Sequence, residues 1–187
     1  MAKIRWRWNY DRLFVLGRSG SGKSTLVASM IRAARAPYLV FAPDATDARK
    51  GLYSPDRVAT FSGREPLDDL DDFIIEAFKH APITIVIEDL PAIFYRNEVT
   101  SVFRNALLTA RKFGVGFIFV TQKLKGVPTI IPASCNKMFV SNVDDTREID
   151  VIRSFDISHL ERLNKFEFLY VDRETGELAV VNTERLK

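Results

Sequence analysis

Cysteine is almost absent from this 187-residue chain, which holds Cys135 alone. A lone thiol excludes an internal disulfide and any metal cluster built on paired cysteines. Histidine is nearly as scarce, with His80 and His159 only. Neither stands in a pattern that would make it a base for Cys135, so that residue reads as buried filler rather than as a nucleophile. No apolar run approaches the length of a membrane span. The basic start "MAKIRWRWNYDR" is not followed by the apolar core of a signal peptide. A cytosolic chain without a membrane span is therefore expected. Charge of one sign is not in great excess: the formal net charge is +3 and the pI about 9.0. That balance is compatible with nucleic acid and does not argue for it alone. Internal repeats, low-complexity tracts and long linkers are missing too.

What is present is apolar: 47% of the residues are hydrophobic, enough for a well-covered core. At this length a single domain spanning 1–187 is expected. Short apolar runs alternate with helical patterns. Strands are expected at 12–17, 38–43, 83–90, 115–121 and 137–142, with a short one in "RVATFSG". Helices are expected at 22–36, at 65–81 with Pro66 in the first turn, and at 97–114 with Gly114 at the end. Two short helices should follow within "DTREIDVIRSF" and "DISHLERLN", and a hairpin turning at 174–176 closes the chain. At the start, Arg5 and Arg7 alternate with Trp6 and Trp8, the pattern of an edge strand with tryptophan on the core side. Apolar strands that are continuous rather than alternating, with helices between them, mean a mostly parallel sheet covered on both faces. The expected fold class is α/β, doubly wound, with a C-terminal β-hairpin.

The densest signal is "GRSGSGKST", residues 17–25, which fits G-x-x-x-x-G-K-[ST] at Gly17, Gly22, Lys23 and Ser24. An expected strand ends at Leu16 and an expected helix begins near Gly22, the context a phosphate-binding loop requires. Gly17, Gly20 and Gly22 let the backbone curl so that the N–H groups of Arg18, Ser19, Ser21 and their neighbours point inward. Those groups and the helix N-terminus suit a triphosphate. Lys23 is placed for the β- and γ-phosphates, Ser24 for Mg²⁺ and Thr25 for the α-phosphate. A second signal is "ITIVIEDL", an Ile/Val strand ending in two acids. Adjacent carboxylates repel, so a strand tip carrying two of them is a poor purely structural choice. One acid suits the Mg²⁺ shell and the other the attacking water. By position Glu88 takes the metal side and Asp89 the water; the roles are exchangeable.

A third signal is "ARKFGVGFIFVTQKL", an apolar strand that ends in Thr121 and Gln122 rather than in glycine or proline. Together with the phosphate loop and the acidic strand tip, this resembles the FtsK–HerA superfamily of DNA-pumping P-loop ATPases over residues 12–142. The resemblance implies a RecA/ASCE-like domain and ATP with Mg²⁺ as cofactors. It implies self-association into a ring, usually a hexamer, around double-stranded DNA, with ATP between subunits. It matches Gln122 to the sensor of the γ-phosphate. It matches Arg111 to an arginine that completes a neighbour's site, with Arg104 in reserve. Lys123 and Lys125 either touch DNA or are solvated loop charges, and both readings stay open. Cellular members carry anchors and extra domains. A bare motor of this length resembles the genome-packaging ATPases of membrane-containing icosahedral viruses, with capsid vertex or portal proteins as further partners. Competing expectations are a plasmid- or host-encoded HerA-like translocase, a nucleotide kinase and a non-hydrolysing regulator. "NKMF" at 136–139 lacks the aspartate of a guanine-reading segment, which removes the small GTPases. Arg147, Arg153 and Arg162 would be the lid of a kinase.

Overall fold

The computed structural model describes residues 4–94, 97–141 and 163–186. The helices expected between 145 and 164, with Arg147, Arg153 and Arg162, lie outside the described residues except for Leu163 and Asn164. Eight strands form one sheet: β1 Arg12–Leu16, β2 Tyr38–Ala42, β3 Val58–Thr60, β4 Ile83–Ile87, β5 Val115–Thr121, β6 Lys137–Val140, β7 Glu167–Asp172 and β8 Leu178–Asn182. Their spatial order is β3-β2-β4-β5-β1-β6-β7-β8. The first six pair in parallel, and β7 and β8 return antiparallel as the expected hairpin.

Period-two burial explains why the central strands are apolar throughout. Leu13 and Val15 of β1, Ile118 and Val120 of β5, and Val86 of β4 face helix α1, Lys23–Ala34, which covers them with Leu26, Val27 and Ile31. Phe14 and Leu16, Phe117 and Phe119, and Ile85 and Ile87 point the other way. There they meet α3 (Pro66–Phe78), α5 (Ser101–Thr109) and two short helices that the sequence did not announce, α4 (Leu90–Ile93) and α6 (Ile130–Ser134). A further short helix, α2 (Thr46–Arg49), follows β2. Cys135 is buried as expected, and burial pushes its thiol up to about 12, which keeps it inert.

Two expectations need correction. The helix expected from residue 97 starts at Ser101. Asn97 is left-handed at φ 57°, and Thr100 caps α5 by accepting from the Phe103 N–H at 3.0 Å. After Thr109 the chain tightens into a 3₁₀ turn, Ala110–Phe113, and ends at Gly114 as expected. The N-terminal edge strand does not form. The wholly buried Asp11 accepts the Arg7 main-chain N–H at 2.7 Å and its guanidinium at 2.8 Å, folding 7–11 into a turn. Trp6 still packs on the α1 side of the sheet.

This N-terminal turn lies against β5. The Trp8 carbonyl accepts from Thr84 Oγ1 at 2.8 Å and sits where a Cβ on Gly116 would have to go. Gly116→Ala should therefore lower stability by about 3 kcal/mol and the melting temperature by roughly 10 °C, read by thermal denaturation. An unchanged melting point would mean that the N-terminal turn does not lie on β5.

Candidate functional site

Register brings the three signals to one height. β5 lies between β4 and β1. Leu16 pairs with Thr121, so Gly17 and Gln122 emerge side by side, and the Gly17 N–H reaches the Thr121 carbonyl at 3.3 Å. Ile87 pairs with Phe119, which places Glu88 and Asp89 at the same edge on the other side of β5. All leave at the carboxyl ends of parallel strands, where α/β sheets open a crevice. A cavity of about 470 Å³ occupies that crevice. It is lined by Ser19, Gly20, Gly22, Lys23, Ser24 and Thr25, by Glu88 and Asp89, and by Gln122.

Gly22 just precedes α1 with φ 94°, a conformation that favours glycine, and a Cβ there would stand 2.6 Å from Thr183 Oγ1. Lys23 lies across the loop and donates to the carbonyls of Gly17 at 2.7 Å and Arg18 at 2.9 Å. Burial lowers its pKa, opposed by the field of Glu88 and Asp89. A buried cation held on carbonyls near two acids is poised to exchange those carbonyls for phosphate oxygens. Ser21 is buried, and its hydroxyl has no hydrogen-bond partner among the described residues. Arg18 and Ser19 are exposed at the loop's outer turn.

The acids differ. Glu88 is held by Tyr53, whose hydroxyl donates to Oε1 at 2.7 Å. Burial pushes the Glu88 carboxyl up to about 7; the Tyr53 hydrogen bond and Lys23 oppose the rise, and Asp47 and Asp89 add to it. Asp89 breaks the strand with φ 52° and leads into α4. Tyr53 and Asp47 come from the segment after β2 that the sequence presents as a featureless loop. Neither belongs to a spaced motif; the nearest signal is an aromatic residue inside a polar, Gly/Pro-marked stretch. Gln122 is exposed on the cavity wall, and Thr121 fixes the turn by donating its hydroxyl to the Lys123 carbonyl at 2.7 Å. Lys123 is exposed in the loop beyond, and Gly126 closes that loop against Pro91.

Among the described residues no group of three acids, histidines or cysteines could hold a metal ion. Mg²⁺ does not require one. It binds through one or two protein oxygens and takes the rest from phosphate and water. The Ser24 hydroxyl and the Glu88 and Asp89 carboxylates around one cavity are hard oxygen donors that fit it.

Arg111 is not brought into this cavity within its own chain. It precedes β5, whereas Gln122 follows it, and the seven residues of β5 span about 20 Å. Its guanidinium stacks on Tyr10, 4.4 Å from the ring centroid, with Glu174 at 3.6 Å. Arg104 lies nearer the other end of α5 and lines a separate cavity of about 230 Å³ with Val99 and Val127.

No family model and no curated protein matches this sequence. Solved structures do match the fold. The DNA-packaging ATPase B204 from Sulfolobus Turreted Icosahedral Virus superposes with a TM-score of 0.75 at 19% identity, covering 94% of this chain and 98% of that one. The genome packaging NTPase B204 from Sulfolobus turreted icosahedral virus 2, solved with ATP-gammaS, gives 0.74 at 18% identity over 91% and 96%. EssC, ATPases 2 and 3, from Geobacillus thermodenitrificans gives 0.65 at 13% identity, covering 95% of this chain and 39% of that one. No helix among the described residues is long and apolar enough to cross a membrane. At these identities the likeness is one of architecture: this chain has the fold of the viral genome-packaging ATPase B204.

Proposed function

We propose that the chain is an ATPase that drives double-stranded DNA into a preformed viral capsid, working as one P-loop domain over 1–187 and in a ring of its own copies. The observation that carries this reading is the meeting of Ser19, Gly20 and Gly22–Thr25 of the phosphate loop with Glu88, Asp89 and Gln122 at one cavity. The near-complete mutual coverage with B204 supports the packaging role, because that protein has few residues outside the shared fold. The site of action would be the host cytoplasm or the assembling virion, with capsid vertex or portal proteins as further partners.

In this mechanism the loop N–H groups and Lys23 hold the triphosphate, and Thr25 meets the α-phosphate. Ser24 and Glu88 would hold Mg²⁺, which neutralises charge on the phosphates when bound. Asp89 orients the attacking water, and Glu88 exchanges this role with it if the metal sits on the Asp89 side. Arg111 of a neighbouring copy stabilises the negative charge of the transition state. Gln122, on the cavity wall, would sense the γ-phosphate and pass its loss to the loop carrying Lys123 and Lys125, which shifts its grip on the DNA backbone.

The test is ATP turnover with and without long duplex DNA. Turnover should rise with DNA and fall by about a hundredfold or more in Lys23→Ala, since that change removes a preorganised charge from the site. Turnover indifferent to DNA and dependent on a nucleoside acceptor would replace the translocase with a kinase.

A further inference from the structure

We infer that Phe166 is the platform on which the nucleobase of the bound nucleoside triphosphate stacks. This rests on the reading that the cavity takes such a ligand, and it assigns the cavity's other end. Three observations converge on Phe166.

Topology comes first. The groups that would face the γ-phosphate, Glu88, Asp89 and Gln122, all lie on the β4–β5 side of the phosphate loop. A triphosphate anchored at Lys23 with its terminal phosphate on that side sends its sugar and base away from it, across β1 toward β6 and β7. β7 runs antiparallel to β6, with Val140 opposite Leu169, so the start of β7 stands at the same edge of the sheet as the phosphate loop. Phe166 immediately precedes β7 and lines the cavity from this opposite side.

Backbone geometry comes second. Phe166 has φ 69°, a left-handed conformation that is an outlier for a bulky side chain. The strain is held in place. The Phe166 carbonyl accepts from the Thr183 N–H at 2.9 Å and from Thr183 Oγ1 at 3.2 Å. Thr183 itself is buried against Gly22. The C-terminal segment thus fixes Phe166 beside the phosphate loop, and held strain of this kind gathers at ligand sites.

Surface character comes third. Phe166 is half-buried, with a ring edge next to Gly22. The exposed Lys165 ammonium stands 4.9 Å from its ring centroid, a mobile cation that a flat base could displace from the ring face. A base stacked there would continue from a phosphate chain that begins at Lys23 and passes Thr25.

The experiment compares binding of Mg-ATP and of inorganic tripolyphosphate by titration calorimetry. The proteins are the parent, Phe166→Gly, Phe166→Trp and Lys23→Ala. Glycine suits the left-handed backbone, so the first variant removes the ring without adding strain. It should lose about tenfold to a hundredfold in ATP affinity and keep the parent's affinity for tripolyphosphate. Phe166→Trp should keep ATP affinity, and its added fluorescence should respond to ATP and not to tripolyphosphate. Equal losses for both ligands in Phe166→Gly, or no loss for either, overturn the base platform while leaving the triphosphate site standing. A parent that binds neither ligand overturns the site and the platform together. Lys23→Ala fixes that distinction, since it should lose both ligands.

Discussion

Replacing Arg111 with alanine should lower DNA-stimulated ATP turnover by about a thousandfold, the loss expected for an arginine that meets the transferring phosphoryl group from outside the site. Within one chain this arginine stands beyond the far end of β5 from Gln122, so a catalytic effect of that size has to pass between copies. The fold should survive the change. Arg7 stacks on the same Tyr10 ring, 4.2 Å from its centroid, and pairs with the same Glu174 at 3.0 Å. A cation therefore stays in the cluster, and the melting temperature should move little, because half-exposed ion pairs contribute about 1 kcal/mol at most. The decisive measurement mixes Arg111→Ala with Lys23→Ala. A ring assembled from both places intact loops beside intact arginines, and turnover should return in the mixture although neither variant has it alone. Absence of rescue together with a large drop in melting temperature would make Arg111 a structural anchor of Tyr10 and Glu174. Rescue obtained with Arg104→Ala instead would move the role to α5's other end.

Glu88→Gln should lower turnover by about a hundredfold or more, with nucleotide binding retained, because the variant lacks the carboxylate needed for metal or water but keeps the amide oxygen that Tyr53 can donate to. The same variant tests the electrostatics of the empty protein. The Glu88 carboxyl titrates at about 7 when folded, against an ordinary value of 4.5. For an acid raised in this way, the unfolded chain releases its proton first. Below about 4.5 both states are protonated and stability is unaffected; between 4.5 and 7 stability falls as pH rises; above 7 the full penalty remains. The parent without nucleotide should therefore lose stability from pH 5 to pH 8 relative to Glu88→Gln, as read by thermal melts of both. Parallel melting curves at the two pH values would show that Glu88 is not buried at a charge penalty.

The buried strands and the phosphate loop could be read from the residues alone, because both are written in short contiguous stretches. An apolar run such as "ITIVI" or "VGFIFV" has to be buried on both faces wherever it lies, and the glycines of residues 17–22 have to curl before a helix. The acids at 88 and 89 and the glutamine at 122 were legible for the same reason: they directly follow a buried strand. Features that depend on a distant partner emerged only on folding. The start of α5 was set by Thr100 reaching Phe103 and Asp71 rather than by the helical pattern from 97. The Arg/Trp alternation at the N-terminus gave way to a turn, since buried Asp11 takes donors from Arg7 that an edge strand would have offered. Tyr53 and Phe166 belong to no spacing pattern. One reaches the cavity because the segment after β2 folds over Glu88, the other because β7 returns antiparallel and Thr183 pins it to Gly22. Local sequence fixes where a chain must bend or be buried; which side chains then share a cavity is set by strand pairing between residues far apart in the chain.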